Sequence, residues 1–193
     1  MKESKGFDLI DKNGYRKYLN MSERALFKNV IEKSGSKERL FGLMLYWTGA
    51  RISEILNLTT SHIDLDKELV IIKCLKKRTL RPIWRRIPLP TTYIHELDQF
   101  FSIRESANSE KLWSWSRSTA SRRISEFMKL AGISGKHANP RGCRHSFGLF
   151  CAKNHIPASV LKQWMGHSHI STTIIYMDFT IEDQRDFAEK LWD

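Results

Sequence analysis

Apolar residues recur at helical spacing over most of this chain, with β-rich runs confined to one stretch near the middle. Asn20-Met21-Ser22-Glu23 opens the first helical pattern, with Ser22 as the expected cap and the helix running through Phe27 and Ile31. A second helix is expected from Lys37, where Leu40, Leu43, Met44 and Trp47 share one stripe, and Gly49 breaks it. Ile52, Ile55, Leu56 and Leu58 predict a short third helix beginning beside Arg51. Leu69-Val70-Ile71-Ile72 reads as a strand, and residues 84–89 as its partner, closed by Pro88 and Pro90. From Thr91 the helical pattern returns at Ile94, Leu97 and Phe101, until Leu112-Trp113 interrupts it. Residues 118–130 form an amphipathic pattern with Arg122 and Arg123 on one side and Ile124, Phe127 and Met128 toward the core; Gly132 ends it. Pro140 and Gly142 predict a turn ahead of a helix over 146–153. Residues 157–165 and 181–192 complete the helices, the first opened by a proline. The expected class is mainly α with a small antiparallel β-sheet (α+β), behind a loose polar lead-in over residues 1–20.

The 193 residues suffice for one domain with a real core, and 41% of them are hydrophobic, which excludes a disordered tail. A net charge of +11 favours a polyanionic partner, because each neutralised phosphate releases counterions. The odd set Cys74, Cys143 and Cys151 carries no Cys-x-x-Cys and reads as reduced, buried thiols. The start of the chain lacks the apolar run of a signal peptide, and the longest apolar run, 40–47, is too short to span a bilayer. The expectation is a cytoplasmic protein with no membrane contact.

Charge and chemistry concentrate at a few points. Lys73, Lys76, Lys77, Arg78, Arg81, Arg85 and Arg86 lie in and between the two strands, as a hairpin with a cationic tip. Arg51 follows a turn glycine where a helix begins, a position that suits a phosphate or, equally, a solvated surface arginine. Glu54, one turn on, is placed to hold it. In Pro140-Arg141-Gly142-Cys143-Arg144-His145, Arg144 enters a core-facing element and needs a partner, either an internal acid or a bound phosphate. His145 reads as a structural hydrogen-bonding histidine. His167 follows Gly166 at a helix end, as a cap or a donor to a phosphate oxygen. With His169 it makes a His-x-His pair lacking a third ligand, so no metal is expected. Tyr176 carries a phenol of pKa about 10, a poor nucleophile until positive charge stabilises its phenolate.

In this order the segments resemble the catalytic domain of the tyrosine recombinases, the phage integrase family. Thr48-Gly49-Ala50-Arg51-Ile52-Ser53-Glu54-Ile55 resembles the first arginine box, and Arg144-His145-Ser146-Phe147 the second. Met165-Gly166-His167 with Thr172-Thr173 and Tyr176 resembles the third. Cys74-Leu75-Lys76 resembles the hairpin that carries a catalytic lysine. The resemblance implies that Arg51 and Arg144 clamp a scissile DNA phosphate and Lys76, with Lys77 as rival, protonates the leaving 5′ oxygen. It implies that His167 donates to the phosphate, Tyr176 attacks to leave a 3′-phosphotyrosine, and Glu54 supports Arg51. Arg141 stands where the family has histidine or lysine; it can stabilise charge but cannot exchange a proton near neutral pH. The basic hairpin (Arg78, Arg81) and Arg122 and Arg123 would contact backbone phosphates of double-stranded DNA. The implied reaction is site-specific strand breakage and rejoining by a tetramer on two DNA sites, without cofactor. The domain would occupy 21–193, with no separate N-terminal core-binding domain ahead of it. A catalytically impaired DNA-binding regulator of the same fold is the alternative, and a type IB topoisomerase-like enzyme ranks last.

Overall fold

Helix α1 (Met21–Glu32) starts two residues earlier than the expected Ser22 cap would set. Asn20 is the cap: its side chain accepts from the Glu23 N–H at 2.8 Å, and Glu23 accepts from the Asn20 N–H at 3.0 Å. The computed structural model describes residues 9–75, 82–106 and 109–178. Helix α2 (Ser36–Thr48) is buried on nearly every side, and so forms the central pillar against which α1, α4 and α6 pack. It ends at Gly49, whose φ of 56° is left-handed. A Cβ there would also sit 2.5 Å from the Phe147 ring, so the same glycine permits the close approach of α2 and α6.

Short α3 (Ile52–Ile55) leads into a three-stranded antiparallel sheet in the order β1 (Ile63–Asp64), β2 (Leu69–Lys73), β3 (Trp84–Pro88). The β2–β3 hairpin follows the expected pairing; β1, only two residues long, leaves no readable pattern. Register sets Val70 against Ile87 and Ile72 against Arg85. Because side chains alternate across a strand, Arg85 points to the buried face beside Ile87 and is only 5% exposed. It therefore does not belong to the solvated cationic tip. Helix α4 (Thr91–Phe101) ties back to α2 through Tyr93, whose hydroxyl donates to the Leu40 carbonyl at 2.6 Å. Helix α5 (Arg117–Leu130) is capped by Ser116 and turns Ile124, Phe127 and Met128 inward, as its pattern predicts.

The largest departure from the sequence reading is α6, which runs over Pro140–Lys153 instead of beginning at Ser146. Asn139 caps it, accepting from the N–H groups of Arg141 and Gly142 at 2.9 and 3.1 Å. Pro140 sits where its missing N–H is harmless. Gly142 is required by contact, not by a turn: a Cβ there would lie 1.9 Å from the His137 carbonyl oxygen. Gly142→Ala is therefore expected to destabilise the fold by about 1–3 kcal/mol, through a forced shift of the first turn of α6. Urea unfolding of the variant and parent checks this.

Helices α7 (Ala158–Met165) and α8 (Ser171–Met177) complete the described elements, and α8 was not foreseen. Two hydrophobic clusters result: a large one around α2, and a smaller one of Leu9, Phe147, Leu149, Leu161, Met165 and Tyr176 between α6, α7 and α8. Leu9 and Leu19 are buried, and Ile10 bridges Arg16 in antiparallel fashion. Residues 9–20 are thus packed structure and not the loose lead-in expected. The expected helix over 181–192, with Phe187 and Leu191, lies outside the described residues. Among the described residues no helix is long and apolar enough to cross a membrane.

Candidate active site

Arg51 is the N-cap of α3, and Glu54 closes that first turn. The Glu54 carboxylate accepts from the Arg51 backbone N–H and from its guanidinium, both at 2.9 Å. Its other demand is met by buried Arg85, whose Nη2 donates at 2.6 Å. Burial alone would raise the Glu54 carboxyl; hydrogen bonding and charge from Arg85, then Arg51, outweigh it and bring the group to about 2.

Arg144 lies on α6, 6% exposed, and its guanidinium bridges two other segments. Nη1 donates to the Gly49 carbonyl at 2.8 Å and Nη2 to the Met165 carbonyl at 2.5 Å. No carboxylate among the described residues lies within salt-bridge distance of it. Burial and the neighbouring Arg51 cation both disfavour its charge. An anion bound beside these two arginines would relieve that cost.

Arg51 and Arg144 line one cleft of about 510 Å³ with Arg141, His145, Asn139, Arg117 and Ser121. Arg117 and Ser121 are four residues apart and so share a helix face. Arg122 and Arg123, the expected backbone-phosphate contacts, do not line this cleft. Arg122 reaches Glu126 at 3.8 Å, and Arg123 reaches Glu38 at 3.6 Å.

Tyr176 is carried by α8 and is wholly buried. Its ring fits against Gly148, where a Cβ would come within 2.7 Å of it. It lies between two histidines, with centroids 6.2 Å from His145 and 6.2 Å from His167. The hydroxyl is 3.1 Å from His145 Nδ1, and Arg141 Nε donates to His145 Nε2 at 3.3 Å. A neutral imidazole that accepts at Nε2 carries its proton on Nδ1, so His145 donates to the phenol oxygen. Such a donor favours the phenolate, as do the charges of Arg144, Arg141 and Arg51. Burial opposes them and raises the phenol above its ordinary value. Arg141 thus has a task that requires no proton exchange: it fixes the tautomer of His145. Sequence reading had treated His145 as structural only; its i, i+4 spacing from Arg141 was the available signal once the helix is known to start at Pro140.

His167 follows Gly166, whose φ of 64° ends α7. Its Nδ1 pairs with the Thr173 hydroxyl at 2.9 Å, which joins it to α8. It opens on a second cleft, of about 660 Å³, that also has Arg85, Arg86, Trp84, Lys162 and Gln163 in its wall. Arg51, Glu54, Arg141, Arg144, His145, His167 and Tyr176 therefore come together from three helices, α3, α6 and α8, and the turn after α7. Lys76, Lys77, Arg78 and Arg81 lie outside the described residues.

Burial, and then nearby cations, lower both His145 and His167 to about 3. Unfolded, each takes up a proton near pH 6.5, so the unfolded chain binds more protons between those values. Stability is complete above about pH 6.5 and falls as pH drops toward 3, by about 2 kcal/mol per histidine at pH 5. Urea unfolding at pH 7.5 and pH 5 is expected to show this loss, and His167→Gln to remove about half of it. Glu54 adds a lower window: its contribution is present above about 4.5 and is lost as pH falls through 2.

The chain is 28% identical over 180 residues to the tyrosine recombinase XerA of Thermococcus onnurineus, covering 90% of this chain and 62% of that protein. The crystal structure of XerA recombinase superposes with a TM-score of 0.73 at 22% identity, over 90% of this chain and 64% of that one. XerH site-specific recombinase, bound to its palindromic difH substrate in a post-cleavage complex, gives 0.74 at 20% identity, over 92% of this chain and 54% of that one. The chain thus spans about three fifths of the length of the curated relatives it matches. The Phage integrase family profile matches residues 10–182, nearly the whole sequence, and the chain belongs to that family.

Proposed function

We propose that this protein is a site-specific DNA recombinase that cuts and rejoins strands through a 3′-phosphotyrosine on Tyr176. The observation that carries the reading is the convergence of Arg51, Arg141 and Arg144 on one cleft, beside a histidine bonded to the Tyr176 hydroxyl. A scissile phosphate in that cleft meets fixed cations where in-line attack gathers negative charge on the equatorial oxygens, so the transition state gains more than the ground state. The Tyr176 phenol gives its proton to water, its oxygen bonds to phosphorus as the bond to the 5′ oxygen breaks, and Lys76 or Lys77 supplies the proton that the leaving oxygen takes. His167 donates to the phosphate from the second cleft. The new phosphodiester keeps the energy of the old one, so rejoining needs no nucleotide triphosphate.

Double-stranded DNA is the partner in this reading, with Arg117 joining Arg78, Arg81, Arg122 and Arg123 as backbone contacts. The working form is a tetramer on two sites in the nucleoid, and the catalytic domain takes in residues 9–20 as well as the expected 21–193, since Leu9 packs in the cluster that holds Tyr176. The test uses nicked suicide duplexes tiled across the DNA that flanks the gene. A covalent protein–DNA complex on a denaturing gel is expected from one tile or more. Tight binding with no covalent complex on any tile would instead favour the DNA-binding regulator.

A further inference from the structure

Arg85 is an unusual residue for its surroundings. It sits on the inner face of β3, opposite Ile72 and two positions from Ile87, yet it is a cation 5% exposed. Its guanidinium bridges two segments. Nη2 donates to Glu54 Oε2 at 2.6 Å, and Nη1 to the Cys74 sulfur at 3.3 Å. The chain leaves room for it: a Cβ on Gly166 would lie 3.1 Å from Nη1 and 3.0 Å from that sulfur. Glu54 is also fully buried, and the same carboxylate grips Arg51 by both backbone and side chain.

Arg51 is 32% exposed at its side chain and, among the described residues, makes one ion pair, so alone it would sample several rotamers. Glu54 removes that freedom, but a buried carboxylate is held only if its own charge is answered from within the protein. Arg85 is the answering charge and comes from a different element. We propose that Arg85 is a positioning residue: by fixing Glu54 it fixes the guanidinium of Arg51 in the cleft, and so sets the rate of strand cleavage without touching DNA. Cys74 is the other partner of Arg85. It lies just beyond β2, at the entrance to the segment that holds Lys76 and Lys77, so the same guanidinium joins the base of the hairpin to the arginine site.

The proposal rests on the recombinase reading for its effect on rate, but not for its effect on Arg51. Two measurements on the full chain separate these. The first needs no DNA: the Arg51 Nε–H resonance in ¹⁵N-labelled protein. It is expected to be dispersed and slow to exchange in the parent, and to collapse to the position of a free arginine in Arg85→Gln. An Arg51 signal unmoved in that variant overturns the proposal. The second is the rate of adduct formation at saturating DNA on whichever nicked duplex the parent cleaves. Arg85→Gln is expected to lose about 10²-fold, as a displaced reacting group does, with DNA affinity nearly unchanged.

Because Arg85 acts through Glu54, the double variant Arg85→Gln/Glu54→Gln is expected to cleave no more slowly than Glu54→Gln alone. Fully multiplied losses would mean independent roles and overturn the idea. If Arg85→Gln does not fold, Arg85→Met/Glu54→Leu replaces the buried pair by apolar groups of similar size. Wild-type cleavage by that folded pair would overturn the proposal, whereas a loss of about 10²-fold supports it. A parent that yields no adduct counts against the recombinase reading, and the Arg51 resonance still decides the role of Arg85.

Discussion

Tyr176→Phe is expected to give no covalent protein–DNA complex under conditions where the parent is converted to adduct, with affinity for the same duplex unchanged within about twofold. The substitution removes one oxygen and nothing else. The ring keeps its place against Gly148 and between His145 and His167. What is lost is the bond between the phenol oxygen and His145, which leaves the Nδ1–H of a buried imidazole without that acceptor, at a cost of about 1–3 kcal/mol. Stability therefore drops modestly while the chemistry stops. Denaturing gels report the adduct, a filter or mobility assay the affinity, and thermal melting the fold. An adduct formed by the phenylalanine variant would move the attacking atom to another residue and end the assignment.

Arg144→Ala is the second large effect. Loss of one preorganised donor to a developing oxyanion costs about 10²–10³ in rate, and a guanidinium that offers two donors to one phosphate stands at the upper end of that range or beyond. Affinity for DNA falls far less, since one phosphate contact among several is removed, and the slope of log K against log salt changes by about 1. The variant also strips donors from the Gly49 and Met165 carbonyls, which loosens the joint between the turns ending α2 and α7. Removal of a desolvated charge offsets part of that loss, so stability is the wrong place to seek the effect. Arg144→Lys is the sharper variant. It keeps the charge but cannot form the fork that serves two carbonyls and a phosphate together, and its cleavage is expected to remain slow. Cleavage by Arg144→Lys at the parent rate would show that charge alone matters at this position.

Much of this was legible because the strong patterns are local. The stripe of α2, the amphipathic face of α5 and the hairpin strands follow from spacing alone. What was not legible depended on contacts between distant segments. Gly142 looks like a turn residue until the His137 carbonyl is seen against it, and Pro140 looks like a helix breaker until Asn139 is seen capping the helix it opens. The run Thr172-Thr173-Ile174-Ile175 has poor helix propensity, so α8 forms through burial of Thr173 and Tyr176 against its neighbours. Arg85 was grouped with the exposed cations by composition. The alternation Trp84 out, Arg85 in, Arg86 out, Ile87 in was present in the strand, and would have placed it inside. At the site, the arginines and the tyrosine were found by resemblance to family motifs, but the partnership of Arg141 with His145 was not. That bond exists only because both residues share a helix that the sequence had been read as a turn.

The enclosure of the Tyr176 ring has a bearing on safety inside a cell. A recombinase of the kind proposed, able to open DNA with no outside energy source, would be hazardous whenever idle. Here the reactive oxygen is shut away from solvent behind the glycine slot, and the two flanking imidazoles stay uncharged at neutral pH. In the proposed reaction the Tyr176 oxygen must leave this enclosure to reach a phosphate, so α8 would have to shift, and a polyanion that relieves the repulsion between Arg51 and Arg144 at the cleft is the agent that could repay the displacement. On that reading, substrate arrival and readiness to cut would be a single event.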